Sequence, residues 1–353
     1  MIIRSYAEEA KLEGYDLFVL GGDIGGTHTN LAVAGMRDEK TAVLFSTHFE
    51  SQKLGSLVPA IKETLEYADE KFGIGIERGC AGVAGAVSGC RRSKPTNLSW
   101  EVDAWEIERE TGIKDFYIIN DFQIIAYGIE SLSEEDLLLA KAGSGGWGET
   151  RSIIGAGTGL GKAILAFDGK NYSPLSSEGG HGDLTIHDRF DLELAAEIRA
   201  GRGTPVSYEE VISGRGIERI YRYLKDRSTE GSSDPRYASE IEGAEEKAAL
   251  ISKYKEKDET SRETFKVFAK YYGRCAKNFV LDSMSTGGLY IAGGIAAKNR
   301  EMFTSPEFQT EFLKANRQRQ ILEKTPIYVI LNYDVSLYGA CNAAARGIRT
   351  CQK

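Results

Sequence analysis

The chain reads as an α/β protein whose mixed sheets are flanked by helices and divided between two domains. Three observations carry this reading. The opening region orders as an antiparallel hairpin followed by strand, helix, strand and helix, the succession of a mixed sheet covered on both faces. A strand–glycine–threonine–strand unit at Leu17–Ala34 recurs from Ser152 to Phe167. A chain of 353 residues with 41% hydrophobic content can bury a sizeable core, and two domains are its natural division.

The organising stretch is Leu17–Ala34, LFVLGGDIGGTHTNLAVA, two apolar runs around two glycine pairs that flank Asp23. This is a hairpin pattern whose loop holds more glycine than reversal requires. Gly25-Gly26 lets backbone N–H groups approach a ligand closely, and Thr27 and Thr29 add hydroxyls. Asp23, at the tip of a buried strand, can orient a hydrated cation. The stretch by itself fits both a phosphate-binding hairpin and an ordinary glycine-rich turn. A third strand is expected at Ala42–Thr47, then a helix over Leu57–Phe72 with its apolar face on Leu57, Ile61, Leu65 and Ala68. Cys80–Val83 reads as a strand and Trp105–Thr111 as a helix. Phe116–Ile119 is a continuous apolar run, as in a strand buried on both faces. It ends in Asn120-Asp121, and Phe122–Ile129 reads as helix. Ligands of such sheets sit beyond the carboxyl ends of the strands, where Asn120 and Asp121 fall.

A second domain is expected after the glycine-rich stretch Lys141–Thr150. Ser152–Ile154 leads into Gly155-Ala156-Gly157-Thr158-Gly159-Leu160-Gly161, and Ala163–Phe167 leads out. Two such units in one chain favour phosphate binding over accidental turns. A dinucleotide fingerprint fails because the sixth position from Gly155 is Leu160, and a Walker A loop fails at Ala156 and Ala163. Paired hairpins, not one loop at a helix start, are the expected phosphate holders. Further on, Ser177–Asp183 sets Glu178, His181 and Asp183 among glycines, a pattern suited to recognising hydroxyls. It lacks zincin spacing. Pro205–Glu210 opens a helix in which Ser207 and Glu210 have capping-box spacing, leaving Glu209 as the freer carboxylate. Asp226–Glu263 reads as a solvated, charged insertion with some helix, and Phe265–Met284 as a core helix. Leu289–Ala292 is a buried strand ending in Gly293-Gly294-Ile295, a third point of close backbone approach. Ile327–Leu331 is the last strand and Ser336–Arg346 the final helix.

Net charge is −8, against nucleic acid as the main partner. No apolar run approaches a membrane span, and MIIRSYAEEAKLEGYD lacks the apolar core of a secretory signal. Five scattered cysteines (Cys80, Cys90, Cys275, Cys341, Cys351) without CxxC spacing point to reduced thiols and a cytoplasmic protein. No Cys/His cluster exists to hold zinc.

Five segments together resemble the bacterial-type glucokinases of the actin, Hsp70 and hexokinase superfamily: Gly22–Thr27, Thr96–Trp100, Ile118–Phe122, Gly155–Gly161 with Glu178–His181, and Ala292–Ile295. The resemblance implies two ribonuclease-H-like lobes hinged around a cleft. The small lobe is residues 1–131 plus 333–353 and the large lobe 132–332, with the charged insertion near 226–263. It implies ATP-dependent phosphorylation of glucose, with Mg2+ and a homodimer. Asp121 resembles the general base; Asn97, Asn120, Asp121, Glu178, His181 and Glu209 resemble the sugar ligands. Gly22, Asp23, Ile24, Gly25, Gly26, Thr27 and His28 resemble the first nucleotide loop, Gly157, Thr158 and Gly159 the second, and Gly293 and Gly294 the adenosine side. Asp23 resembles the residue that holds magnesium through water.

The chain departs from the family pattern at His28, where Asn is common. Cys90–Lys94 is unusually basic and reads as a solvated loop tip, and the residues before Tyr15 have no counterpart. The cysteine-rich zinc motif of the related repressor/kinase family is missing. The alternatives to a glucokinase are a kinase for mannose or a 2-acetamido sugar, and a non-catalytic sugar and nucleotide sensor. Asp121 speaks against the sensor.

Overall fold

The computed structural model describes residues 1–6, 12, 14–38, 40–95, 97–146, 148–200, 203–227 and 234–348. Thr96 and Cys351 lie outside the described residues. The chain divides into two compact units, Met1–Ser133 with Asn332–Lys353, and Glu134–Leu331.

The first unit is built on β1 (Ile2–Ser5), β2 (Leu17–Ile24), β3 (His28–Arg37), β4 (Lys40–Glu50), α1 (Val58–Phe72) and β5 (Arg78–Val83). There follow β6 (Val87–Ser88), β7 (Arg92–Ser93), β8 (Val102–Asp103), α2 (Ala104–Thr111), β9 (Asp115–Asn120) and α3 (Asp121–Gly128). Among the described residues the main sheet has the order β1-β4-β3-β2-β5-β9. The hairpin partners are antiparallel, and β5 runs parallel to both β2 and β9. The N-terminal residues, without expected structure, supply the edge strand, with Ile3 opposite Thr47. The basic stretch is a solvated tip only in part, with Arg92 and Lys94 exposed. It forms β7 of a small antiparallel sheet. Arg91 binds Glu108 and donates to the Phe116 carbonyl at 2.8 Å, while Arg92 pairs with Asp103 at 2.7 Å. Both guanidiniums lie over the Trp105 ring, so the charges are spent on local packing.

The second unit contains β10 (Leu137–Lys141), β11 (Arg151–Ala156), β12 (Leu160–Phe167), β13 (Tyr172–Ser177), α4 (Arg189–Arg199), α5 (Gly214–Arg227), α6 (Pro235–Gly243), α7 (Lys247–Tyr254) and α8 (Glu259–Ser283). It closes with β14 (Leu289–Ala292), α9 (Gly294–Lys298), α10 (Pro306–Leu313), α11 (Arg319–Lys324) and β15 (Ile327–Ile330). Its sheet order is β10-β15-β14-β11-β12-β13 among the described residues. The described part of Asp226–Glu263 from Asp234 onward is not a solvated insertion. Asp234 caps α6 and Asp258 caps α8, and Ile241, Ile251 and Tyr254 are buried in the core of this unit. Charge on the solvent face of two short helices hid the few apolar residues that anchor them. A buried ion network joins α4, α8 and α10: Arg274 donates to Asp191 at 2.6 Å and to Glu311 at 2.7 Å, and the Tyr271 hydroxyl donates to Asp191 at 2.9 Å.

The chain then returns to the first unit as α12 (Val335–Arg346), packed on the sheet face formed by Val19, Ala32, Ala34, Cys80 and Ile119. The approach is close enough to require glycine. A Cβ on Gly21 would lie 2.7 Å from the Cys341 nitrogen, and one on Gly339 would lie 1.7 Å from the Ile124 carbonyl oxygen in α3. The expectation of reduced thiols holds for Cys80, Cys275 and Cys341, which are free and buried. It is overturned for Cys90, which is disulfide-bonded; spacing along a chain does not reveal which thiols a fold brings together. No described helix is long and apolar enough to cross a membrane.

Candidate functional site

In the first unit, residues 25–27 turn β2 into β3. Gly25 N–H donates to the His28 carbonyl at 2.9 Å and closes the turn. The loop carbonyls are tied down by residues that follow β4: Ser51 Oγ donates to Gly25 O at 2.7 Å, Gln52 Nε2 to Gly26 O at 2.8 Å, and Ser51 N to Thr27 O at 2.9 Å. The N–H groups of Gly26 and Thr27 take no protein acceptor among the described residues. A loop with its carbonyls engaged and its N–H groups unspent suits an anion. Asn97 packs directly on this loop, since a Cβ on Gly26 would lie 2.8 Å from the Asn97 Cβ. Gln52 also donates to the Asn97 carbonyl at 3.1 Å, and buried Trp100 donates from Nε1 to Ser51 O at 3.3 Å. Sequence reading missed Ser51 and Gln52, whose only mark is their position after a strand.

Asp23 stands near the end of β2, opposite Asn30. Burial raises its carboxyl above the usual carboxylate range, opposed by the Ser336 hydroxyl, which donates to Oδ2 at 2.6 Å. Its Oδ1 takes no protein donor among the described residues. Asn120 and Asp121 mark the junction of β9 with α3. Asn120 is the N-cap, its Oδ1 accepting the Phe122 N–H at 2.9 Å, and Asp121 Oδ1 accepts the same N–H at 3.0 Å. A carboxylate there is stabilised by the positive end of the helix.

In the second unit, residues 157–159 turn β11 into β12, with Gly157 N–H donating to Gly159 O at 2.8 Å. Two further elements meet this turn. A Cβ on Gly293, whose φ is +96°, would lie 2.7 Å from the Ala156 carbonyl, so the Gly293-Gly294 corner abuts the end of β11. Gly214, which opens α5, donates to the Gly157 carbonyl at 2.9 Å.

Glu209 is not the freer carboxylate. It lies in a short 3₁₀ turn, Tyr208–Glu210, where Ser207 and Glu210 do form the expected capping box. That turn directs Glu209 at the glycine loop: Oε2 accepts the Leu160 N–H at 3.0 Å, and Oε1 lies 3.8 Å from the Arg215 guanidinium. Glu178 precedes and His181 ends another 3₁₀ turn, Gly179–His181, with side chains 72% and 61% exposed and 3.8 Å apart. They stand open to a ligand.

The described residues contain no group of three or more His, Cys, Asp or Glu able to cage a metal. Mg2+ needs no such cage, because it keeps several waters and binds through one or two carboxylates together with substrate phosphates. Asp23, with one oxygen uncommitted near the Gly25–Thr27 loop, fits that requirement.

The Glucokinase family model matches residues 20–347. The chain belongs to the glucokinase family. The glucokinase of Nostoc punctiforme is 36% identical over 341 residues, covering 93% of this chain and 99% of that relative. The glucokinase of Trichormus variabilis is 34% identical with the same coverage of both. The crystal structure of a glucokinase from an Antarctic psychrotroph is similar with a TM-score of 0.79 at 26% identity, covering 94% of this chain and 99% of that one. A ROK-family glucokinase from Streptomyces griseus, in complex with glucose and AMPPNP, shares the fold with a TM-score of 0.62 at 19% identity over 94% of this chain. Mixed sheets flanked by helices in two sheet-containing units are the fold shared with these relatives.

Proposed function

We infer that this member of the glucokinase family transfers the γ-phosphoryl group of ATP to the 6-hydroxyl of glucose. The observation that carries the reading is the near-full-length likeness to glucokinases, and the local geometry supports it. Phosphoryl transfer requires positioning and charge neutralisation more than covalent assistance. The Gly25–Thr27 and Gly157–Gly159 loops offer backbone N–H groups to phosphate oxygens. The Gly293-Gly294 corner beside the second loop is suited to the adenosine side. Asn120, Glu178, His181 and Glu209 are assigned to the sugar hydroxyls, and Asn97 to the same ligand set beside the first loop. Glu209 has a second task, since one of its oxygens already holds the Leu160 N–H.

Asp121 takes the proton of the 6-hydroxyl as the new O–P bond forms. Its place at the head of α3, where Oδ1 accepts the Phe122 N–H, fixes the carboxylate for that role. Asp23 would hold magnesium, which when bound would neutralise phosphate charge.

The test is a coupled assay of ATP consumption over glucose, mannose and 2-acetamido sugars. The expected result is the highest kcat/KM with glucose. A higher value with another hexose would reassign the substrate. Glucose binding without turnover of any sugar would make the protein a sensor.

A further inference from the structure

Lys162 stands two residues into β12 on the core face of its sheet, and its side chain is 6% exposed. A buried ammonium normally finds a carboxylate. Among the described residues Lys162 has none. Its Nζ donates to the Gly179 carbonyl at 2.9 Å and lies 4.9 Å from the Phe279 ring centroid and 5.8 Å from that of Tyr208. The buried Cys275 thiol, which burial pushes up to about 11, feels the Lys162 charge as an opposing influence. The charge is thus desolvated onto one backbone carbonyl, one thiol and two aromatic faces.

That carbonyl belongs to the turn carrying Glu178 and His181. The turn is fixed from its other side as well, where Gly179 N–H donates to Ser177 Oγ at 3.1 Å. Gly180 lies so close to Leu160 that a Cβ there would be 1.9 Å from the Leu160 carbonyl oxygen. Leu160 is also the residue whose N–H is held by Glu209 and whose chain leaves the Gly157–Gly159 loop. One short piece of β12, Leu160–Lys162, therefore carries the attachments of both turns.

We propose that Lys162 is a positioning residue that clamps the Glu178–His181 turn to β12, setting the sugar ligands in register with the Gly157–Gly159 loop. The proposal rests on the assignment of these turns to sugar and nucleotide. An apolar side chain of similar length would fill the same space at less desolvation cost. The ammonium is therefore retained for its hold on Gly179.

The experiment compares wild type with Lys162→Met in steady-state kinetics, thermal unfolding and amide hydrogen exchange. The expected outcome is a glucose KM raised by about tenfold or more with the ATP KM within about twofold. Exchange should quicken over residues 178–182 and stay unchanged in α8, with an unfolding temperature equal to or above that of the wild type. A glucose KM within about twofold of wild type overturns the proposal, as does faster exchange spreading through α8. If Lys162→Met does not fold, Ser177→Ala loosens the same turn from its other side: a raised glucose KM supports the clamp and an unchanged one overturns it. Failure of the wild type to phosphorylate any sugar would remove the functional reading instead, and the exchange comparison would still decide whether Lys162 holds the turn.

Discussion

Ser336 Oγ donates to Asp23 Oδ2 at 2.6 Å, joining residues 313 positions apart. The contact ties the start of α12 to the end of β2, one residue from Ile24 and the glycine turn. It also answers the burial of a carboxylate whose surroundings disfavour charge.

Asp23→Asn tests that balance. Because burial raises the Asp23 carboxyl, the native state holds this proton more tightly than the unfolded chain does. Its contribution to stability is complete below the ordinary carboxylate range and is lost as pH rises through the raised value. Above that raised value the ionised carboxylate is a cost. The variant should therefore unfold at a higher temperature than wild type at pH 8, with the gap closing towards pH 4, while phosphorylation falls. A lower unfolding temperature at pH 8 would mean that the Ser336 bond outweighs burial.

Asp121→Asn should abolish turnover and spare binding. Asn keeps the shape and the hydrogen bond to Phe122 N–H but is a far poorer base, and loss of a general base costs ~100- to 10,000-fold in rate. Glucose affinity by calorimetry should stay within about tenfold of wild type. Retention of more than about a tenth of wild-type turnover would exclude Asp121 as the base.

Gly339→Ala should injure the site from a distance. The added methyl meets the Ile124 carbonyl at 1.7 Å, so α12 and α3 must part. Overpacking of this kind costs about 1–3 kcal/mol. It should also displace Asn120-Asp121 at the head of α3, lowering kcat together with the unfolding temperature. Unchanged kcat in a destabilised variant would show that α3 moves without its first residues.

Arg274→Met removes the guanidinium from buried Asp191 and leaves Glu311 with Lys314 at 3.3 Å. Breaking a buried pair by removing one partner costs about 3–5 kcal/mol, to be read from urea unfolding. Combining it with Glu311→Gln should return part of the loss. A cost below about 1 kcal/mol would place the network in surface-like dielectric.

Features written in contiguous residues were legible in the sequence. The Asp23–Thr27 hairpin, the apolar run ending at Asn120-Asp121 and the capping box of Ser207 and Glu210 each have a local period or turn chemistry. What escaped depends on partners far along the chain. Ser336, Gln52 and the Glu209–Leu160 bond have no local mark, because each is made by bringing separate turns together. The four-residue edge strand Ile2–Ser5 and the two-residue strands around Arg92 are too short for alternation to show. In α6 and α7 the exposed charges outnumber the anchors Ile241, Ile251 and Tyr254, so composition resembled a solvated segment.

The return of α12 has a consequence for how the protein is made. The sheet face of Val19, Ala32, Ala34, Cys80 and Ile119 leaves the ribosome early, but its cover is encoded after Leu331. Glu134–Leu331 is one unbroken stretch, encoded whole before the cover of the first unit. The half of the protein that is synthesised first is therefore completed last. Through that interval its uncovered apolar face is open to chaperones and to aggregation.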